Sequence, residues 1–484
     1  MYRVYLTLRA EKRKHSYEEL YYWTANIQGL RQQARSNQRR VHGQHVPRLC
    51  VQNKTPERAK FRYNNSMLLI HNTSFVHQLT PSAQRGSALG TLNPVPNGAV
   101  LLDGERILSV GAPADLLLQH PEADLLDAGG NAVLPGFVDP HTHLVWAGDR
   151  ADEFEMRLQG KSYMEIMAAG GGIAATLKAT RAASPELLLE ETRQRAQTAF
   201  RYGTTTLEAK TGYGLDLETE FKQMEVLLRL DEEGPLQIIP TYMGAHAVPP
   251  EYKGDTAGYI RFLTLQALPE LKNWWQTHAP GRALPFVDVF CEEGVFDLAQ
   301  TREILGAAAG LGFPLKLHAD EFANLGGASL AVELGAVSAD HLVKTSAEDI
   351  RRLGGSQTAA VSLPGTPFGL AQSEYTPARE IIAAGGILAL ASDLNPGTTW
   401  NESMQFIQAL ACRYLKLTPA EALVASTINA AAALGLADQI GSLTPGKQAD
   451  LLILNVPDYR MLSYRYGTNL VSKVIKKGAV YPAV

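Results

Sequence analysis

Cysteine is nearly absent from this chain. Three residues, Cys50, Cys291 and Cys412, are spread along 484 positions. That spacing builds neither a disulfide framework nor a paired-cysteine zinc site, and it suits a reducing compartment such as the cytoplasm. Long apolar runs are missing too: none approaches the ~20 residues that a membrane-crossing helix needs. Nor is there a strong net charge. The formal value of −4 gives no general reason to bind nucleic acid or an anionic membrane. With 45% hydrophobic and 19% charged residues, what remains is an ordinary globular protein, long enough for more than one domain and a large core.

The charge is unevenly spread. Residues 1–66 hold 14 Lys/Arg against 4 Asp/Glu, a net of +10, and the remainder carries −14. This basic extension has no apolar core of a secretory signal. Three readings compete for it. It is a disordered basic arm for an acidic partner; or an Arg-rich transit peptide, against which Glu11, Glu18 and Glu19 count; or the product of an upstream start, the natural protein opening at Met67. Met67-Leu68-Leu69-Ile70 enters strand-like sequence directly. Nothing in the extension interleaves aromatics with basic residues on a recognisable nucleic-acid fold, so no nucleic-acid partner is expected.

From residue 67 to 132 short apolar runs alternate with turn signals, and Asp103-Gly104 between two of them marks a hairpin. Residues 441–484 show a similar pattern: a Gly446-Lys447-Gln448-Ala449-Asp450 turn, a strand, and a final hairpin at Lys477-Gly478. The two ends are expected to pair into one small β-sandwich. Between them, over residues 133–440, eight strand-like runs are separated by helical stretches: 132–139, 204–209, 237–244, 286–291, 314–318, 336–339, 358–362 and 387–391. Near-continuously apolar strands alternating with helices mean a parallel sheet. Eight such units predict an α/β fold of the (β/α)8 TIM-barrel type, with the open doubly wound sheet as the alternative.

Five of the twelve histidines fall at the predicted strand ends, where barrels of this type gather their chemistry. The first strand runs Leu134-Pro135-Gly136-Phe137-Val138-Asp139-Pro140 into His141-Thr142-His143. Side chains alternate along extended backbone, so His141 and His143 share a face. His246, His318, His341 and Asp393 close later strands. His141, His143, His318 and Asp393 would offer three nitrogens and one oxygen. Such a set suits zinc or iron, Zn2+ or Fe2+/Fe3+, and not the all-oxygen preference of calcium or magnesium. Asp393 could both hold the metal and take a proton from water.

These strand-end residues and the split β-domain resemble the amidohydrolase superfamily of metal-dependent barrel hydrolases. Longer strings sharpen the likeness: His141-Thr142-His143-Leu144-Val145-Trp146-Ala147-Gly148-Asp149-Arg150, Glu208-Ala209-Lys210-Thr211-Gly212-Tyr213-Gly214-Leu215, His318-Ala319-Asp320-Glu321-Phe322 and Ser392-Asp393-Leu394-Asn395-Pro396-Gly397-Thr398. The resemblance covers residues 67–484. It implies hydrolytic opening of a cyclic amide by metal-activated water, on a small molecule carrying a carboxylate arm. In that reading Arg150 clamps the carboxylate, Tyr213 and His246 line the pocket, and Asn395, Gly397 and Thr398 contact the polar end of the substrate. Glu321 contacts the substrate and orients the water or protonates the leaving nitrogen. His341 polarises the ring carbonyl.

Many superfamily members carry a second metal bridged by a modified lysine from the fourth strand. Here that strand reads Val287-Asp288-Val289-Phe290-Cys291-Glu292-Glu293, without lysine, so one divalent metal is expected and Cys291 is assigned to the core. The family also implies a homodimer. Two other functions stay open at this stage: an aminoazine deaminase of the same superfamily, which would not need the Arg150 clamp, and a catalytically inactive scaffold, which would be expected to lack ligands.

Overall fold

The structure, a computed structural model, describes residues 67–161, 165 and 170–483. The basic extension and the three readings of it lie outside the described residues.

Five strands come first: β1 (Met67–His77), β2 (Pro94–Pro96), β3 (Ala99–Asp103), β4 (Arg106–Gly111) and β5 (Asp124–Pro135). Eight shorter ones follow: β6 (Phe137–Asp139), β7 (Thr204–Lys210), β8 (Gln237–Ala245), β9 (Phe286–Cys291), β10 (Lys316–Ala319), β11 (Ser338–His341), β12 (Ala359–Ser362) and β13 (Ile387–Leu390). Three more, β14 (Leu451–Leu454), β15 (Val471–Lys476) and β16 (Ala479–Pro482), end the chain.

The terminal strands form one eight-stranded sheet, in which β14 from the C-terminal end pairs antiparallel with β5. The sheet folds over on itself. Ile107 on β4 donates to Lys447 O and accepts from Gly446 N, beside the turn that leads to β14. Leu68, Ile70, Val100, Ile107, Leu451, Ile453 and Ile475 meet in its enclosed core. The predicted hairpin is present, with Asp103 opposite Arg106 across a two-residue loop. Gly104 there has φ +53, the left-handed conformation such loops require.

Strands β6 to β13 form the second sheet, parallel throughout and in sequence order. Helices cross between successive strands and are capped as the sequence dictates. Ser184 accepts from Leu187 N ahead of the Pro185–Arg201 helix. Asp297 and Gln300 form a reciprocal box at the start of Leu298–Gly310, satisfying amides that have no partner inside a helix.

One predicted boundary is corrected. Residues 132–135 belong to the terminal sheet, and the first barrel strand begins at Phe137. Gly136 makes the transfer between sheets: a Cβ there would lie 2.3 Å from Thr205 Oγ1, so glycine leaves room for the Thr205 side chain against the backbone. The fifth and sixth strands are shifted toward the C-terminus, ending at Ala319 and His341 in place of 318 and 339, so that His341 lies inside β11.

The ring closes just past the ends of β6 and β13. Asp393 N donates to His141 O at 3.1 Å, and His143 N donates to Leu394 O at 2.9 Å. On the other side Lys210 N donates to Thr142 O at 2.9 Å. The His-x-His segment is therefore hydrogen-bonded on both flanks, and the closing seam carries three of the proposed ligands.

Candidate active site

His141, His143 and His318 are buried, with ligand nitrogens within 4.8 Å of one another, and His141, His341 and Asp393 form a second, overlapping group. The Nε2 atoms of His143 and His318 face each other at 3.3 Å. Asp393 Oδ1 lies 3.6 Å from His141 Nε2 and 3.7 Å from His143 Nε2. Two of the rings are oriented from behind. His141 donates Nδ1–H to Asp340 Oδ2 at 2.6 Å, and His318 donates Nδ1–H to Asp288 Oδ2 at 2.9 Å. Those bonds fix the tautomers and turn the Nε2 lone pairs inward, as carboxylate partners do behind metal-binding histidines. His141 Nε2 is buried with no hydrogen-bond partner. Converging lone pairs without protons between them repel unless a cation sits among them, so these residues fit a divalent metal.

Asp393 is held by its other oxygen, which accepts from Thr366 Oγ1 at 2.5 Å. Its backbone sits at φ +53, a conformation costly for a residue with a Cβ and common where side-chain aim matters. Burial pushes its carboxyl up to about 6, against the hydrogen bond from Thr366. His341, at the end of β11, has φ +79. Both of its ring nitrogens are buried without partners, and its Nδ1 lies 3.7 Å from Glu321 Oε2. Burial keeps His341 neutral. It also raises the Glu321 carboxyl well above the usual range, helped by the charges of Asp393 and Glu292.

Tyr213 and His246 lie together over His143. The His246 ring stacks on His143 at 4.8 Å, and Tyr213 is 5.3 Å from His246. His246 donates Nδ1–H to Gly212 O at 3.0 Å. Its pKa falls to about 3, through burial and then the charge of His318, so its Nε2 is an acceptor. Glu220 holds the Tyr213 loop, accepting from the amides of Gly212, Gly214 and Leu215. Gly212 itself sits at φ +109, where a Cβ would press on His246 Nδ1 at 2.9 Å.

Arg150 is at the site but already engaged. Its Nε and Nη2 donate to the two oxygens of Glu153 at 2.8 and 2.7 Å. Its Nη1 points at Gly397, where a Cβ would lie only 2.3 Å away. Sequence spacing showed the guanidinium but not this i,i+3 carboxylate, which is set by the helix starting at Ala151. Asn395 is also committed: its amide donates to Asp393 O and Thr398 Oγ1, and its oxygen accepts from Gly397 N and Thr398 N. It shapes the loop that presents Gly397 and Thr398.

Several residues that matter here were not singled out from sequence. Arg195 stacks 3.6 Å over Trp146 and donates to Leu144 O and Trp146 O, fixing the backbone after His143. Asp288 on the fourth strand and Asp340, directly before His341, carry no role in the sequence reading. Lys210 is buried between Glu208 and Asp288, at 2.6 and 2.7 Å. Removing one member of such a buried pair costs about 3–5 kcal/mol, because a charge is left uncompensated.

Residues 300–480 match the amidohydrolase family, and residues 98–123 match the imidazolonepropionase-like composite domain of bacteria. The chain is 50% identical over 396 residues to the imidazolonepropionase of Herpetosiphon aurantiacus, covering 82% of this chain and 92% of that one. The chain belongs to the imidazolonepropionase family. The imidazolonepropionase of Chloroflexus aggregans is 45% identical over 417 residues, covering 85% and 98% of the two chains. Among solved structures, a zinc-bound adenosine deaminase from Xanthomonas campestris superposes with a TM-score of 0.64 at 20% identity, over 85% of this chain and 92% of its own. A triazine hydrolase variant gives 0.66 at 16%, over 86% and 94%. These two likenesses show the amidohydrolase fold alone. Imidazolonepropionase membership makes the chain a hydrolase of the amidohydrolase superfamily.

Proposed function

We propose that this chain hydrolyses 4-imidazolone-5-propanoate to N-formimidoyl-L-glutamate, a step of histidine degradation. The observation that carries this reading is a buried nitrogen-rich ligand set, with Arg150 Nη1 packed against Gly397 on the loop that follows Asp393. A divalent metal held by His141, His143, His318 and Asp393 would supply Lewis acidity, making water acidic enough to ionise near neutral pH. Asp393 accepts the proton of the attacking water. The water oxygen adds to the ring carbonyl carbon, and neutral His341 donates an N–H to the carbonyl oxygen as charge develops there. The carbonyl–nitrogen bond then breaks, and protonated Glu321 gives its proton to the departing nitrogen. His246 Nε2 accepts from a ring N–H, and Tyr213 covers the ring. Arg150 receives the propanoate through Nη1 while Glu153 holds the rest of its guanidinium in place. Gly397 and Thr398 border the substrate's polar end on a loop held by Asn395. Either zinc or iron suits the donor set, and the enzyme acts as a cytoplasmic homodimer.

The test is turnover of imidazolonepropanoate by metal-analysed protein before and after chelation. Activity should vanish with the metal and return with one equivalent. Ammonia release from aminoazines without turnover of imidazolonepropanoate would replace this reading by the deaminase one. Arg150→Ala should retain its metal and raise KM by about 10- to 100-fold, the worth of one or two charge-assisted hydrogen bonds. An unchanged KM would remove Arg150 from carboxylate recognition.

A further inference from the structure

The fourth strand lacks the lysine that bridges two metals in many superfamily members, yet a buried lysine stands beneath the histidines all the same. It comes from the second strand. Lys210 Nζ lies 2.6 Å from Glu208 Oε1, 2.7 Å from Asp288 Oδ2 and 3.8 Å from Asp340 Oδ2. All four side chains are inaccessible to solvent. Asp288 and Asp340 are also the carboxylates that orient His318 and His141. A second ammonium, Lys316, is 3.6 Å from Asp340 Oδ2 and donates to Pro140 O.

Three carboxylate oxygens around one point make a site that a hard divalent cation would accept. Here an ammonium occupies that point.

We propose that Lys210 is the positioning residue that limits this centre to a single divalent cation, its ammonium standing where a second would bind. The inference rests on the metal site under Proposed function and deepens it. It assigns a role to Lys210 toward the metal rather than toward the substrate.

The experiment titrates apo protein with Zn2+ and with Mn2+ and counts bound metal per chain by native mass spectrometry and elemental analysis. The unmodified chain should saturate at one. Lys210→Ala should reach two, its extra ion being displaced by methylammonium, which restores the lost charge. Lys210→Arg should stay at one. Where the alanine variant does not fold, Lys210→Gln removes the charge with less loss of volume and should also reach two. Two ions on the unmodified chain, or one on a folded neutral variant, would overturn the role of Lys210. An unmodified chain that binds none would instead overturn the metal site itself.

Discussion

Asp393→Asn is expected to lower kcat by about 10²- to 10⁴-fold, the usual worth of a positioned general base, in protein saturated with metal. Asparagine keeps the shape and a ligand oxygen but cannot take a proton. Thr366 holds one carboxylate oxygen at 2.5 Å, leaving the other toward His141 and His143, and the left-handed backbone at φ +53 gives that aim. The amide would have to serve both neighbours with one oxygen and one nitrogen, so metal is also expected to be lost to chelators faster. Steady-state kinetics on metal-saturated variant protein checks this. A kcat within tenfold of the unmodified enzyme would move the general base elsewhere, with Glu321 the next carboxyl at hand.

Glu321→Gln should separate acid from base. Burial raises the Glu321 carboxyl, with Asp393 and Glu292 adding to it, so the group stays protonated at pH values where a free glutamate is ionised. A general acid of this kind is active below its raised pKa and lost above it. The alkaline limb of the kcat profile should therefore disappear in the variant, along with about 10²- to 10⁴-fold of rate. The sign for stability follows from the same shift. The native state keeps a proton that the unfolded chain has released, so this group's contribution to stability is present below the unfolded pKa and falls as pH rises through the folded one. Glutamine has no such slope. A folded variant with lower kcat but stability that declines less with alkali is the expected pair of results; an unchanged alkaline limb would assign it to another group.

Lys210 and Arg150 show what residue type alone leaves out. The absence of lysine from Val287–Glu293 argued for one metal, and the cluster offers a physical reason from another strand. Lys210 contacts Asp288 across 78 positions, and His141 meets Asp340 across 199. The sequence points to Arg150 as a carboxylate clamp, and Glu153, three residues ahead, faces it because a helix begins at Ala151. The strand ends were legible for the opposite reason. Apolar runs, glycine and proline breaks and terminal histidines are local patterns, and a parallel barrel delivers all its strand ends to one face.

By itself the sequence determined the eight-strand alternation, the pairing of the two chain ends, and the placing of His141, His143, His318 and Asp393 at strand ends. Each is written in local periodicity or side-chain chemistry. Only the tertiary structure decided where the first barrel strand begins, which carboxylates orient His141 and His318, what already holds Arg150, and that two ammoniums lie under the centre. Those depend on distances between residues far apart in the chain. Such distances exist only once hydrogen bonds from Asp393 and Lys210 on either side of His141-Thr142-His143 have closed the ring.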